Sequence, residues 1–444
     1  MANYRHGKMI DIIGAMNSSI LAVHKDRCML VRNRNAECLR CAHVCTTGAI
    51  SLDDEGIQVD PDKCIGCGTC VSACPTCCLE ARNPSDEELF AMMRDVLHAS
   101  GKAAFACENA LAKVHASQGV EREFPMALDD GTPIIKVVCL GRAEESLLVE
   151  TAAHGARAIT LLCGDCDSCE HASGGSLSKD ICSSATALLE AFGCDCPIRR
   201  LSVGEARMTP MPYHAPEPMA LVHETAIEKQ DETRKSTKRR IFSADPNTRT
   251  ALRKGEMIDF VPEFVRVQED GTLPHFVPER RLRLYNSLKA LGSMKTDHVD
   301  TRLWGQVDIN VDLCRSCRMC TVFCPTGAIA RFDASDGAFG VEHRSTLCVQ
   351  CRMCEAICPE KAITVSSEVS LREFLDGTKF HFQMKPIGWN PGGETSIATR
   401  MARFMKTDTF QDPQAKLKPA EISAQRDYAR SRESKRAELR AEKD

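Results

Sequence analysis

The stretch CRSCRMCTVFCPTGAI, residues 314–329, decides how this chain is read. Its cysteines fall at Cys314, Cys317, Cys320 and Cys324, and a proline follows the last. The phrase returns as Cys348, Cys351, Cys354 and Cys358, again before a proline. Far upstream, Cys64, Cys67, Cys70 and Cys74 write it a third time, and CLRCAHVC at 38–45 gives an altered version. Three thiolates two residues apart can wrap one face of a compact metal centre, through a tight loop whose amides point at the sulfurs. Structural zinc sites use CxxC pairs and need no third cysteine at the next step, so the pattern favours iron–sulfur chemistry over zinc.

Composition agrees. A chain of 444 residues suggests about two to four domains. With 57 basic and 61 acidic residues the formal charge is −4, which makes no case for nucleic-acid binding. Aromatic residues are only 5% of the chain, whereas cysteines number 26. Disulfides on that scale would require an oxidising compartment. The N-terminal stretch reads as no signal peptide, its apolar run being broken by Asp11 and Asn17. No run approaches the roughly 20 apolar residues of a transmembrane helix. The expectation is a cytoplasmic protein whose thiols stay reduced and bind metal.

Residues 310–365 resemble the two-cluster bacterial-type ferredoxins, in which the fourth cysteine of each run ligates the other cluster. Carried over, the resemblance assigns one [4Fe-4S] cluster to Cys314, Cys317, Cys320 and Cys358, and a second to Cys348, Cys351, Cys354 and Cys324. The first block follows the same grammar with departures. Its altered run is Cys38, Cys41 and Cys45, with Thr46 where proline is usual and Asn35 where a cysteine is expected. Cys28 is the upstream candidate, since loop closure grows costly only slowly with length. One cluster is therefore assigned to Cys28, Cys38, Cys41 and Cys74, and another to Cys64, Cys67, Cys70 and Cys45. Without Cys28, the first of these would be a three-iron site or absent. Residues 28–80 hold ten cysteines and no Phe, Tyr or Trp, so something other than side-chain packing must supply their centre. Cys77 and Cys78 read as small buried hydrophobes beside a cluster, with redox-active thiols as the alternative.

Between the blocks the pattern changes. Ser85 and Glu88 form a capping box before a helical face of Leu89, Met93, Val96 and Leu97, stopped at Gly101. AAFAC (103–107), PIIKVVCL (133–140), RAITLLC (157–163) and 197–203 read as strands, with helices at 143–155 and 183–193. The alternation predicts a small α/β domain. Its phrases FACENA and KVVCLGRAEESLLVETAAHGARAITLLCGDC resemble the iron–sulfur delta subunit of methyl-viologen-reducing hydrogenases, matching at Cys107, Cys139, Gly141, Arg142 and Cys163. That resemblance implies a [2Fe-2S] centre and electron traffic between a hydrogenase and a heterodisulfide reductase. The fourth ligand is left open between Cys166 and Cys169. A run of Cys163, Cys166 and Cys169 could instead hold a fifth [4Fe-4S] cluster with Cys139 or Cys182.

The expected class is α+β: two ferredoxin-like 2[4Fe-4S] domains flanking a small α/β domain, with a helical or irregular linker and a charged C-terminal tail. The boundaries read 1–27 (helical), 28–83 (first ferredoxin domain), 84–205 (central domain), 206–307 (linker and helical segment), 308–367 (second ferredoxin domain) and 368–444 (tail, helical or disordered). Within the linker, PERRLRLYNSLKALG reads as a basic amphipathic helix packed on its own chain. WNPGGET at 389–395 reads as a turn. The expected function is an electron-transfer subunit of an anaerobic oxidoreductase complex, a hetero-oligomer with catalytic or flavin-containing subunits, binding no nucleic acid and having no transmembrane segment. The alternative is an enzyme acting on thiols or disulfides through Cys163–Cys169, Cys77–Cys78 or Cys194–Cys196. Local charge suggests higher potentials in the second block (Arg315, Arg318, Arg352) than in the first (Asp53, Asp54, Glu55, Asp60).

Overall fold

The computed structural model describes residues 20–211, apart from 34, 35, 54, 55, 120 and 122–124, and residues 272–385. Most of the linker, the N-terminal 19 residues, the 389–395 turn and the tail beyond 385 lie outside the described residues.

The first block is small. Strand Leu21–Val23 pairs antiparallel with Leu79–Ala81, and Ile50–Asp53 pairs with Gly56–Val59. Residues 21–23, placed on sequence in a helical segment ahead of the block, are thus one of its strands: Leu21 is buried against the block's core and opposite Ala81. Short helices Arg40–His43 and Thr69–Ala73 lie between the strands. Leu21, Ile50, Ile57, Val71 and Leu79 form the apolar core together with cysteines, and no aromatic ring of the block joins it.

The central domain has the larger apolar core. Helix Asp86–Ser100 opens with both halves of the expected capping box at Ser85 and Glu88, and closes at Gly101 with φ 66°. Four parallel strands follow in spatial order Ile134–Val137, Ala103–Cys107, Ile159–Cys163 and Ile198–Ser202. Ala103–Cys107 is buried throughout, which explains its unbroken apolar reading. Helix Glu145–Ala153 matches the expectation closely. The next helix runs Ala172–Ala191, starting eleven residues before the expected 183. Its opening, ASGGSLSK, has poor helix propensity. Packing overrides propensity there, because Gly174 and Gly175 lie against Cys139 and Cys166, where a Cβ would overlap sulfur.

The second block pairs Gln306–Ile309 with Ile363–Ser366, and forms a three-stranded sheet of Ile329–Asp333, Phe339–His343 and Phe380–Gln383. Helices Met319–Phe323 and Met353–Ile357 follow its two cysteine loops. Residues 368–385, read from sequence as the start of a tail, belong to this unit: helix Leu371–Asp376 is capped by Ser370, and the last strand completes the sheet.

The three units pack on one another. Met353 and Ile357 of the second block enter the core of the first. Trp304 and Phe374, with ring centroids 4.5 Å apart, join the central core. Helix Glu279–Leu291, the expected basic helix, buries Leu284, Tyr285 and Leu288 in that core beside helix Glu145–Ala153. A keystone ion pair fixes the arrangement. Arg302 donates through Nε and Nη2 to both carboxylate oxygens of Glu145 at 2.7 Å, and through Nη1 to the Ser72 carbonyl at 3.1 Å. Glu145 is fully buried, and burial raises its carboxyl pKa against the opposing pull of Arg302. Among the described residues, no helix is long and apolar enough to cross a membrane.

Candidate iron–sulfur sites

The cysteine loops share a backbone device. In all three complete runs, the second and fourth residues after the first cysteine take left-handed φ values: Gly66 (68°) and Gly68 (71°), Ser316 (56°) and Arg318 (55°), Gln350 (50°) and Arg352 (61°). Reversing the chain twice within five residues is what lets three side chains face one point. A second device follows the fourth cysteine of each run. Three residues on, φ is again positive, at Gly48 (65°), Cys77 (50°), Gly327 (69°) and Lys361 (52°). The tight turn aims an amide back at the sulfur: Cys78 N–H donates to Cys74 Sγ at 3.3 Å, and Ala362 N–H to Cys358 Sγ at 3.4 Å. Threonine two residues on places a hydroxyl near the same sulfur, with Cys45–Thr47 at 3.5 Å, Cys74–Thr76 at 3.6 Å and Cys324–Thr326 at 3.8 Å. The altered run lacks the double reversal, and residues 40–43 form a short helix in its place.

The fold brings the expected partners together. Cys41 stands within electrostatic reach of Cys74, Cys28 and Cys38. Cys28 is carried there by the turn before helix Met29–Arg32, and its thiol is also hydrogen-bonded to that of Cys78. Cys70 interacts with Cys67, Cys45 and Cys64. Cys320 interacts with Cys317, Cys314 and Cys358, and Cys354 with Cys351, Cys348 and Cys324. Burial pushes the thiols of Cys41, Cys70, Cys320, Cys351 and Cys354 well above the usual range, reinforced by the neighbouring sulfurs. Packing four such groups together is costly unless a cation holds them as thiolates. Among the described residues, no three donors converge on a point that one metal ion could occupy. A cubane is gripped at its corners, by sulfurs that need not meet at one point. Sulfur-only quartets with amides aimed at sulfur fit an iron–sulfur cluster.

The quartets also approach one another. Cys70 interacts with Cys74, Cys351 with Cys38, and Cys354 with Cys320.

In the central domain, Cys107, Cys139, Cys163, Cys166 and Cys169 line one small cavity with Asn109. Cys107 and Cys163 end adjacent parallel strands, and Cys139 follows a third, so the site sits at the carboxyl edge of the sheet. Gly164 N–H donates to Cys107 Sγ at 3.3 Å, and His171 N–H to Cys169 Sγ at 3.4 Å. Arg200 reaches Cys166 Sγ at 3.1 Å. The buried Asn109 Oδ1 has no hydrogen-bond partner. Cys139 lines the cavity, whereas Cys182 does not line it but interacts with Cys163. The cavity abuts the first block. Thr69, between Gly68 and Cys70, packs on Gly141 and Gly174, and Cys139 interacts with Cys67. Thr46 Oγ1 donates to the Glu170 carbonyl at 2.5 Å, and Ser173 Oγ to the Val44 carbonyl at 2.6 Å.

Among the described residues, three of the loop charges singled out from sequence are paired. Arg318 binds Asp333 at 2.6 Å, Arg352 binds Glu355 at 3.1 Å and Asp60 binds Lys63 at 2.7 Å. Sequence reasoning missed Arg32, Arg280 and Arg281, which reach the backbone of cluster-loop cysteines from outside the loops. The signal was faint: an arginine closing the apolar MLVR after Cys28, and two in a helix that looked merely basic.

Comparison with known proteins agrees with this architecture. Residues 57–76 match the 4Fe-4S binding domain, 313–362 the 4Fe-4S dicluster domain and 103–210 the delta subunit of methyl-viologen-reducing hydrogenase. The chain thus carries 4Fe-4S ferredoxin domains on either side of a hydrogenase-delta-type domain. It is similar over 42 residues (52% identical, 10% of this chain and 24% of the relative) to the electron transport protein HydN of Escherichia coli strain K12. It is similar over 36 residues (58% identical, 8% of this chain and 19% of the relative) to the thiosulfate reductase electron transfer subunit PhsB of Salmonella typhi. The chain spans less than a quarter of the length of the curated relatives it matches.

Proposed function

We propose that this chain is a multi-cluster electron-transfer subunit of an anaerobic, cytoplasmic oxidoreductase complex. Four [4Fe-4S] clusters are assigned to the four quartets, ligated as the ferredoxin resemblance implies and with Cys28 as a ligand. A further centre, [2Fe-2S] or [4Fe-4S], is assigned to the cavity of Cys107, Cys139, Cys163, Cys166 and Cys169. Bound clusters supply one-electron chemistry at potentials that the surrounding charge and hydrogen bonds set.

The reading is supported by electrostatic coupling between sulfurs of successive sites: Cys139 with Cys67, Cys70 with Cys74, Cys38 with Cys351, and Cys354 with Cys320. The coupling runs from the central cavity through both quartets of the first block into both quartets of the second. The chain's own residues shape that line. Val71, Met353 and Ile357 exclude water between the blocks, and the paired amides and hydroxyls at sulfur hold the thiolates in place. Partners are catalytic or flavin-containing subunits, of the hydrogenase or heterodisulfide-reductase type that the central domain suggests. Thiol–disulfide exchange is less well supported, because such chemistry needs an exposed thiol of low pKa. Cys77 is buried and pushed up to about 12, and burial raises Cys196 to about 11.

Anoxic alkylation separates the two. The sixteen quartet cysteines should resist iodoacetamide until iron is chelated. Rapid labelling of a central or Cys77–Cys78 pair in the iron-loaded protein, with loss of a disulfide-reducing activity, would favour the enzyme.

A further inference from the structure

Three arginines converge where the two ferredoxin blocks meet, and all three address one quartet. Arg32, from the first block, donates to the carbonyls of Phe323 (3.4 Å), Cys324 (3.3 Å), Pro274 (2.8 Å) and Asp26 (3.3 Å). Arg281, from the helix Glu279–Leu291, donates to the carbonyls of Cys348 and Leu303, and its guanidinium lies 5.7 Å from the rings of both Trp304 and Phe374. Arg40 donates to the Gln350 carbonyl at 3.2 Å. Cys324, Cys348 and Gln350 all belong to the loops of the quartet Cys324, Cys348, Cys351 and Cys354.

Arg32 and Arg281 are 6% and 5% exposed and, among the described residues, form no direct ion pair with a carboxylate, although the Asp26 carboxylate acts on Arg32 from a distance. Arg281 Nη1 has no hydrogen-bond partner. A buried cation held only by carbonyls and ring faces is costly unless an anion lies nearby. Burial pulls both guanidiniums down, opposed at Arg32 by the Cys324 sulfur and then the Asp26 carboxylate, and at Arg281 by the Cys348 sulfur.

At the other quartets Arg142, Arg280, Arg318 and Lys385 have carboxylates beside them, whereas Arg40 lies within the Cys38–Cys41 run and also acts on Cys38. Arg142, packed on Gly68 beside Cys67, is paired with Asp86. Arg280, which donates to the Cys74 carbonyl, interacts with Glu144 and Asp86. Arg318 and Lys385, near the quartet of Cys314, are paired with Asp333 and Asp312. Reduction adds one negative charge to a cluster, and an unneutralised cation in a poorly screened interior favours that state.

We propose that Arg32 and Arg281 make the centre at Cys324, Cys348, Cys351 and Cys354 the most easily reduced of the four cubanes, so that it stores an electron in mid-relay. The inference rests on the quartets holding cubanes. Potential differences therefore come from two buried arginines contributed from outside the block, and not from the paired arginines of the second block's own loops.

The test is an anoxic reductive titration of the full chain followed by EPR. The first signal to appear should be the one that Cys351→Ser alters. Arg32→Gln and Arg281→Gln should each lower that centre's midpoint and leave the other centres in place, the double variant more so, while Arg32→Lys and Arg281→Lys keep most of the wild-type value. If a glutamine variant fails to retain iron, the wild-type order of reduction with the Cys351→Ser assignment still decides. A different cubane reduced first, or an order indifferent to removal of the charges, overturns the inference. A chain that binds no cubane iron overturns instead the functional reading beneath it.

Discussion

At the two left-handed positions of its complete loop the first block has Gly66 and Gly68, whereas the second block has Ser316 and Arg318 in one loop and Gln350 and Arg352 in the other. For a residue with a Cβ that conformation costs roughly 1–2 kcal/mol. The second block offsets the cost with a contact from each side chain. Ser316 Oγ donates to the Lys385 carbonyl at 2.8 Å, Arg318 binds Asp333, Gln350 Nε2 donates to the Thr301 carbonyl at 3.2 Å, and Arg352 binds Glu355. The first block cannot do the same. A Cβ on Gly68 would run into Arg142 of the central domain, and one on Gly66 would come within 3.1 Å of Ile20. One loop must stay bare because another domain lies on it; the others are free to carry side chains that brace them.

Removing iron should have the largest effect, and an unequal one. The first block has no aromatic ring in its core, whereas the central domain buries Phe105, Leu147, Leu148, Leu161 and Trp304. After chelation, hydrogen exchange should show residues 21–81 unprotected and the strands Ala103–Cys107 and Ile159–Cys163 still protected. The second block should fall between, because Val299, Trp304, Val369 and Phe374 tie its flank to the central core. Equal loss in all three units would erase the contrast.

Next in size is the keystone. Arg302→Ala leaves the fully buried Glu145 unpaired and should cost about 3 kcal/mol in denaturant unfolding. Replacing both partners by apolar residues, as Glu145→Met with Arg302→Met, should recover most of the loss. If the single and double variants are equally destabilised, the pair does not hold the units together.

Smaller effects sharpen the loop comparison. Gly68→Ala should destabilise by about 1–3 kcal/mol, from its φ of 71° and from contact with Arg142. Arg318→Gly relieves the strain but loses the half-exposed pair with Asp333, so its net effect should stay within about 1 kcal/mol. Thermal unfolding of the iron-loaded proteins compares them; equal shifts would mean that the two loops face equivalent surroundings.

Much of this was legible in the cysteines themselves, since ligand spacing is a local property. The capping box at Ser85 and the buried strand AAFAC were legible for the same reason. The early start of helix Ala172–Ala191 was not, because its glycines answer to Cys139 and Cys166 on other segments. Nor were the roles of Arg32 and Arg281. An arginine bound to a carbonyl 291 or 67 positions away leaves no periodicity to read, and its residue type is equally at home on any surface. Thr69, lodged between the first block's cysteine loop and the central domain, is likewise marked only by its tertiary neighbours Gly141 and Gly174.

The central claim is that four sulfur quartets hold four cubanes. Iron and acid-labile sulfide analysis of the anoxically purified full chain, with EPR on the reduced sample, tests it most directly. About 16 iron atoms per chain are expected from the quartets, rising to roughly 18 or 20 with the central site filled. A colourless, iron-free chain that nevertheless shows full protection across residues 21–81 would contradict it.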